Sequence, residues 1–457
     1  MEVSALEEVG KGEGPPGGAA QLGEQRLGPH GWKRAFGHAR MLSRTRSARS
    51  NRGVLTPDQA LRHILAALDG VAPLPAERVP LSDALGRSLA EEVRAERALP
   101  PFDNSQMDGY ALRAADAPRA GARLPVAFEV FAGDDRGREL PPGSCARIFT
   151  GAPLPPGADC VEMQEEVSHK GSVARFRRAA VLGRHVRPAG ADVAPGSTAL
   201  PIGLEVDAGA IGLAAALGRS ELAVRRRPRV GILATGDEIV PLGSVPGPGQ
   251  IFESNGHQLA AACVEAGAIP IRLPLAGDDR ASLRRSLSAA RGLDALVSIG
   301  GVSVGDRDLV RAGLEGSGAR LDFWRVAMRP GKPVAFGRWG TMAVFGLPGN
   351  PASALVTFEL FVRPALRALA GLRGSGRMLL RARLGEAEDK PSELTVFLRC
   401  RVRREAGSLW VDPLRTQQSG HLTSVVGVDA LAVLPAGQAR VRRGQTVDAI
   451  LVRAPSG

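Results

Sequence analysis

Apolar positions recur at helical spacing just beyond residue 53, at strand-like spacing from 99 to about 186, and in alternating strand and helix spacing from 227 to about 371. Thr56-Pro57-Asp58 opens a helix, with Thr56 as N-cap and Pro57 as its first residue. Leu61, Ile64, Leu65 and Leu68 give that helix one apolar face, and Gly70 closes it. A second helix is expected over residues 81–89 and a strand or linker over 91–98. From 99 to about 186 the pattern becomes short strands (127–131, 144–150, 173–176) broken by Pro and Gly clusters, a small β domain. A helix over 206–217, with Asp207 near its start, leads onward.

Residues 227 to about 371 alternate strand and helix. Strands are expected at 230–234, 269–273, 295–299 and 342–345, and helices at 256–266, 281–290 and 308–314, with a long closing helix over 351–370. This is the doubly wound α/β pattern. The remainder returns to short strands at 394–402, 409–411, 430–434 and 446–452, a second β domain.

Composition narrows the class. A chain of 457 residues exceeds one ordinary core, so two to four domains are expected. No apolar run is long enough to span a bilayer, which argues against a membrane protein. The four cysteines (Cys145, Cys160, Cys263, Cys400) are scattered, which speaks against zinc or a disulfide framework and suits a reducing cytoplasm. The net charge of +12 raises nucleic acid as a partner. The excess is spread over the first fifty residues and dispersed arginines, without interleaved aromatics, so a solvated arginine-rich surface is the better reading. Residues 1–53, rich in Gly, Pro, Arg and Ser, read as a disordered tail.

Candidate chemistry gathers at the ends of the α/β strands, where such folds bind ligands. The stretch 293–308, LDALVSIGGVSVGDRD, ends a buried strand in Gly300-Gly301 and continues through Ser303, Gly305, Asp306 and Asp308 into a helix. Glycine admits backbone N–H groups to a phosphate, and carboxylates beside a phosphate site imply a divalent cation. The first strand ends in Thr235-Gly236-Asp237-Glu238, and the second in Gly277-Asp278-Asp279, where a helix cap is the simpler use of the acids. The loop Arg329-Pro330-Gly331-Lys332-Pro333 is stiff and cationic, in a chain with only five lysines. Gly346-Leu347-Pro348-Gly349-Asn350-Pro351 opens the closing helix with Asn350 as N-cap, and Ser353 adds a hydroxyl. Together these fit a phosphorylated ligand held with Mg²⁺; neither a dinucleotide fingerprint nor a Walker A motif is present.

The segments FDNSQMDGYAL, RIFTGAPLPPGAD, ATGDEI, IGGVSVGDRD, MRPGKPVAFG and FGLPGNPASALVTFELFVRPAL resemble the molybdopterin molybdenumtransferases, the bacterial MoeA proteins and the E domain of gephyrin. The likeness runs from about residue 54 to the C-terminus. It implies an elongated domain I (54–98 and 187–226), an inserted β domain II (99–186), a molybdopterin-binding α/β domain III (227–373) and a barrel-like β domain IV (374–457). It also implies a cytoplasmic homodimer whose cleft joins the α/β domain of one subunit to the inserted domain of the other. The implied reaction inserts molybdenum from molybdate into adenylylated molybdopterin, with Mg²⁺-dependent release of AMP. An adenylyltransferase would supply the substrate and molybdoenzymes would accept the product.

By the same resemblance, Asp108, Thr150, Glu238, Asp279 and Asp308 match positions tied to activity, and Glu238, Asp279, Asp306 and Asp308 are the candidate metal ligands. Substrate contacts fall to Gly300, Gly301, Ser303, Gly305, Arg325, Arg329, Lys332, Pro348, Asn350, Pro351 and Ser353, with Arg399 and Ser419 in the last domain. Arg307 stands where the family commonly has an aromatic, and Glu162 interrupts an apolar run. Two other functions share parts of the pattern. Adenylyl transfer to molybdopterin belongs to single-domain relatives that lack the DNSQMDGYA and FTGAP segments, and a gephyrin-like scaffold role would call for a fused second α/β domain.

Overall fold

The strand–helix alternation of the middle of the chain resolves into one six-stranded sheet. A computed structural model describes residues 54–133, 136–301, 309–374 and 376–455. Strands run in the order Ile269–Arg272, Arg229–Ala234, Ala295–Ile299, Met342–Leu347, Pro333–Trp339 and Arg320–Arg325. The first four are parallel, with Val230 opposite Ala295 and Ala295 opposite Ala343; the last two extend the edge antiparallel. These two strands are hidden in the sequence by the stiff loop between them. Arg325 pairs with Pro333 on either side of it, so prolines mark the hairpin turn rather than an extended loop.

Both faces of the sheet are covered, which is why its central strands read as unbroken apolar runs. Val230, Ile232, Val297 and Phe345 pack under the helices Pro57–Leu68 and Asn255–Glu265 and the closing helical segment. Leu233, Leu296 and Val344 pack under Arg280–Ala289 and Leu309–Gly316. Each large apolar side chain fully buried here contributes about 1.5–3 kcal/mol, so the two layers hold the strand ends rigidly. The first helix starts as expected: the Thr56 side chain accepts from the Gln59 amide and the Gln59 side chain accepts from the Thr56 amide.

The expected helix at 81–89 is not formed. Only a 3₁₀ turn, Leu81–Asp83, is present; Gly86 then takes φ +72°, and Leu89 is drawn into backbone pairing with Leu204 and Val224. Local helix propensity gives way there to strand-like pairing with distant segments.

The closing helix is continuous but not uniform. Pro351–Thr357 and Arg363–Leu369 are α-helical, and Phe358–Val362 between them winds as a π-helix. Pro364 has no amide hydrogen, so the regular ladder cannot run through this turn. The wide turn carries buried Glu359, which accepts from Arg363 Nε at 2.8 Å and Arg377 Nε at 2.9 Å.

Strands flank this domain on both sides. Residues from the 99–186 stretch form a six-stranded sheet in the order Cys160–Met163, Gly109–Leu112, Cys145–Ile148, Arg123–Val130, Val173–Phe176 and Val167–Lys170. The strand Gly109–Leu112 is concealed in the sequence by the polar turn that precedes it. Glu162, the acid in an apolar run, is buried at this sheet and paired with Arg184 at 3.0 Å. After residue 377, Thr395–Glu405, Ser408–Pro413, Met378–Leu384, Thr446–Leu451 and Ala430–Leu434 pair successively, and the last pairs back to the first. That closes a five-stranded barrel around Leu384, Leu398, Val411, Ala432 and Ala449. Met328–Arg329 pairs with Thr395–Val396 and so fastens the cationic loop to the barrel.

Removing Glu359 would take from two largely buried guanidiniums the buried one of their two shared carboxylates and leave them the exposed Glu265. Glu359→Ala is expected to destabilise the protein by about 1–3 kcal/mol, measured by urea unfolding. A loss well under 1 kcal/mol would show that the π-turn pair is not holding the helix.

Candidate functional site

Gly300 and Gly301, at the end of the central strand, take φ +80° and +63° in succession. A Cβ on Gly301 would come within 2.4 Å of Val310 Cγ2, and one on Gly300 within 3.2 Å of the Thr235 carbonyl. Only glycine suits both positions. Loops from three other elements close on this point. Thr235 Oγ1 donates to the Ile299 carbonyl at 3.3 Å. A Cβ on Gly349 would meet Gly300 Cα at 3.8 Å. Asn255 Nδ2 donates to the Gly349 carbonyl at 2.6 Å.

The fourth side of the site comes from the barrel domain. Asn350 sits at the N-cap position of the closing helix, with Pro351 as the first residue, yet its side chain makes no cap bond. Asn350 Nδ2 instead donates to Ser419 Oγ at 3.0 Å, and the Ala352 amide donates to the Ser419 carbonyl at 3.0 Å. Gly331, at φ +98°, lies so close to the closing helix that a Cβ would meet Thr357 Cγ2 at 2.3 Å. Ser353 is buried one turn earlier, and Arg325, Arg329 and Lys332 are exposed on and beside the same loop. Pro348 leads into this turn. Ser303, Gly305, Asp306 and Asp308, together with residues 1–53 and Arg307, lie outside the described residues.

The acids at the strand ends divide into two uses. Asp279 is the N-cap of the helix Arg280–Ala289: its Oδ1 accepts from the Ala281 amide at 2.8 Å and the Ser282 amide at 2.9 Å. The Ser282 amide and hydroxyl, with the Ala281 amide, hold this carboxyl below the ordinary range. The Asp278 amide donates to Asp237 Oδ1 at 2.9 Å, and partial burial followed by the charges of Asp237 and Glu238 pushes its carboxyl upward. So Asp237, Glu238 and Asp278 form the acidic corner. Asp278 is the residue that sequence reasoning passes over, and no pattern separates it from the adjacent capping acid. Among the described residues no group of three or more His, Cys, Asp or Glu side chains is arranged to hold a metal ion.

Arg399 has no exposed counterpart. It is 1% exposed on the strand Thr395–Glu405; its Nε donates to the Ser424 carbonyl at 3.1 Å, while Nη1 and Nη2 have no hydrogen-bond partner. Burial lowers this guanidinium to about 10. A buried cation with two unused donors is costly unless an anion completes it. Arg399 lines a cavity of about 650 Å³ between the barrel and the helices Asn255–Glu265 and Pro351–Thr357.

Asp108 and Thr150 form their own pair on the inserted sheet. Asp108 precedes the strand Gly109–Leu112 and Thr150 follows Cys145–Ile148, and these strands are antiparallel neighbours. Asp108 Oδ1 accepts from both the Thr150 amide and the Thr150 hydroxyl, each at 2.8 Å. The amide first, then the hydroxyl, with Arg147 nearby, hold the Asp108 carboxyl below the ordinary range. The loop around Thr150 is positioned by exchange of backbone bonds with Ser105, at 2.8 and 3.0 Å to Gly151 and Ala152. The two motifs DNSQMDGY and FTGAP are thus one structural unit.

A doubly wound sheet with glycine-lined strand ends, an acidic corner and barrel-borne contacts defines a multidomain protein built on an anion-binding type of α/β domain. Residues 231–368 match the family model of a probable molybdopterin binding domain, residues 55–218 the MoeA N-terminal region (domain I and II), and residues 381–452 the MoeA C-terminal region (domain IV). The molybdopterin molybdenumtransferase of Bacillus subtilis is 36% identical over 390 residues, covering 83% of this chain and 91% of that one. Molybdopterin molybdenumtransferase 2 of Mycobacterium tuberculosis is 39% identical over 376 residues, covering 80% and 92%. The crystal structure of a molybdopterin biosynthesis MoeA protein from Pyrococcus horikoshii superposes with a TM-score of 0.73 at 30% identity, covering 88% of this chain and 100% of that one. The chain belongs to the MoeA family of molybdopterin molybdenumtransferases.

The Asp108 carboxyl should titrate below the ordinary aspartate range and the Asp278 carboxyl above it, followed by carboxyl ¹³C NMR. Because the folded value of Asp108 is depressed, its contribution to stability is present above the unfolded value near 3.9 and is lost as pH falls through the folded value. Thr150→Val should move Asp108 upward and leave Asp278 where it is. An unmoved Asp108 would mean that the Thr150 hydroxyl does not reach it.

Proposed function

We propose that this chain inserts molybdenum from molybdate into adenylylated molybdopterin and releases AMP. The observation that carries this reading is the convergence of three strand-end loops, at Thr235, Gly300-Gly301 and Gly349, with the acidic corner, beside the exposed cations of the Arg329–Lys332 loop and buried Arg399. Close backbone approach and fixed N–H groups suit a polyanion, and little side-chain freedom remains to be lost when it binds.

In this reading Arg329 and Lys332 neutralise phosphate oxygens. Arg399, with its two unused Nη donors, and Ser419 receive the molybdate oxyanion. Gly300 and Gly301 let the phosphates approach the backbone. Asp108 stays ionised because Thr150 holds Oδ1, so Oδ2 accepts a hydrogen bond from a water or a substrate hydroxyl and orients it.

The donors at the acidic corner are carboxylate oxygens, the type a hard cation takes, but among the described residues no three acids are grouped to hold a metal ion. A Mg²⁺ site would therefore need Asp306 and Asp308, the acids expected from the sequence, beside Glu238; Asp279 has one oxygen committed to its helix. When bound, the ion would offset charge on the phosphoanhydride.

The chain would act as a homodimer, since Asp108 and Thr150 lie on the inserted sheet and a second copy could bring them to the strand-end loops. Four buried, unpaired cysteines support a cytoplasmic setting. Among the described residues no helix is long and apolar enough to cross a membrane. An adenylyltransferase would feed the site and molybdoenzymes would take its product.

Purified protein supplied with adenylylated molybdopterin, molybdate and Mg²⁺ should release AMP, and chelation of the metal should stop it. Asp108→Ala and Asp308→Ala should each lower the rate on the order of 10²-fold. Full activity in both variants would remove these residues from the site. Consumption of ATP with free molybdopterin, and no AMP release, would mark the chain as an adenylyltransferase instead.

A further inference from the structure

Next to Asp108 and Thr150 a row of aromatic and cationic side chains runs along one face of the inserted sheet, and the proposed reaction gives it no role. Phe131 follows the strand Arg123–Val130 and Phe149 follows Cys145–Ile148; these strands are parallel neighbours with Val130 opposite Ile148. Their rings therefore lie side by side, stacked with centroids 4.7 Å apart and planes 9° from parallel. The Arg147 guanidinium lies over Phe149, 5.2 Å from its centroid, and over Tyr110 at 5.0 Å. Gln164 Oε1 accepts from Arg147 Nη2 at 2.5 Å and fixes that cation. Phe131 remains 48% exposed, in a chain that is only 4% aromatic.

Ring burial alone does not explain this arrangement. The rings of Phe131 and Phe149 belong to none of the buried clusters that hold the sheet together. Their placement is fixed by the same strand ends that carry Thr150. Beside them an open groove of about 510 Å³ is lined by Tyr110, Glu129, Arg147, Gln164, Glu165 and His169. An ordered, half-open aromatic stack joined to a polar groove suits one kind of ligand, a flat heteroaromatic ring with hydrogen-bonding edges.

We propose that the Phe131–Phe149 stack and the adjoining groove seat the pterin ring of the substrate, an inference that rests on the proposed molybdenum insertion. Stacking supplies affinity for any flat ring, and the groove supplies the choice. Glu129 and Glu165 are acceptors with two oxygens each, matched to the adjacent N–H donors of an aminopyrimidinone edge. Adenine alternates donor and acceptor along its edge and meets such a carboxylate with one bond. The seat places the ring next to Asp108 and lets the phosphates extend away from the inserted sheet.

The test uses the full-length protein and 6-hydroxymethylpterin as the probe, its fluorescence quenched on stacking. AMP binding is measured in parallel by calorimetry, and AMP release from adenylylated molybdopterin by the wild-type protein is recorded separately. Phe131→Leu and Phe149→Leu keep apolar bulk and remove the π-face; unchanged thermal melting shows that they fold. Each is expected to weaken the pterin probe at least about 5-fold and to leave AMP binding unaltered. Wild-type protein that does not bind the probe, or variants that bind it equally well, would overturn the proposal. Loss of AMP binding alone would overturn it in favour of an adenine seat. Wild-type AMP release with unaltered pterin binding in the variants would leave the function standing and remove only the seat. Absent AMP release with pterin binding lost in the variants would do the reverse.

Discussion

Close approach of backbone to backbone at the carboxyl edge of the α/β sheet is the constraint on which the site depends. Gly300 and Gly301 turn in the left-handed region against Thr235 and Val310, and Gly349 comes to rest on Gly300. A side chain at Gly301 would collide with Val310, and the loops would spread. The buried layers on both faces of the sheet hold the strand ends in this contact, so the core and the site are not independent achievements of the chain. The Thr235, Gly236 and Gly300 amides are spent on carbonyls at neighbouring strand ends, which ties the strand ends to one another and fixes the loops that follow them.

The charges are distributed on the same logic. Asp279 is consumed by its helix, which frees Asp278 to sit with Asp237 and Glu238. Arg399 is buried without a carboxylate partner for Nη1 and Nη2, which makes it expensive as a structural residue and sensible as a receiver of an oxyanion. Asp108 is the opposite case, an exposed acid kept ionised by two donors from one residue, Thr150. Each of these states follows from which backbone groups lie within reach, and together they divide the work between binding and orienting.

Much of the fold is legible in the sequence because period and burial agree. The runs at Val230–Ala234 and Ala295–Ile299 could only be strands covered on both faces, and the capping box at Thr56 marks its helix to the residue. Where local signals compete, sequence reasoning fails. Residues 81–89 have helical spacing, but Gly86 and the pairing of Leu89 with Val224 decide the outcome. The hairpin strands Arg320–Arg325 and Pro333–Trp339 are masked by the prolines between them. Adjacent acids such as Asp278 and Asp279 cannot be sorted by sequence, since the choice rests on which carboxyl meets the helix amides. The burial of Arg399 is likewise invisible, because residues 396–400 of its strand are buried on both faces and an arginine within such a run has no local signal.

The central claim is that Asp108 and Thr150 act on the same substrate as the strand-end loops, and that a second subunit brings them there. Mixed dimers of Asp108→Ala and Lys332→Ala chains test it most directly. Random assortment makes half of the dimers mixed, each with one intact site of two, so roughly a quarter of wild-type AMP release should return. Activity no higher than that of the two parent variants would contradict a cleft shared between subunits.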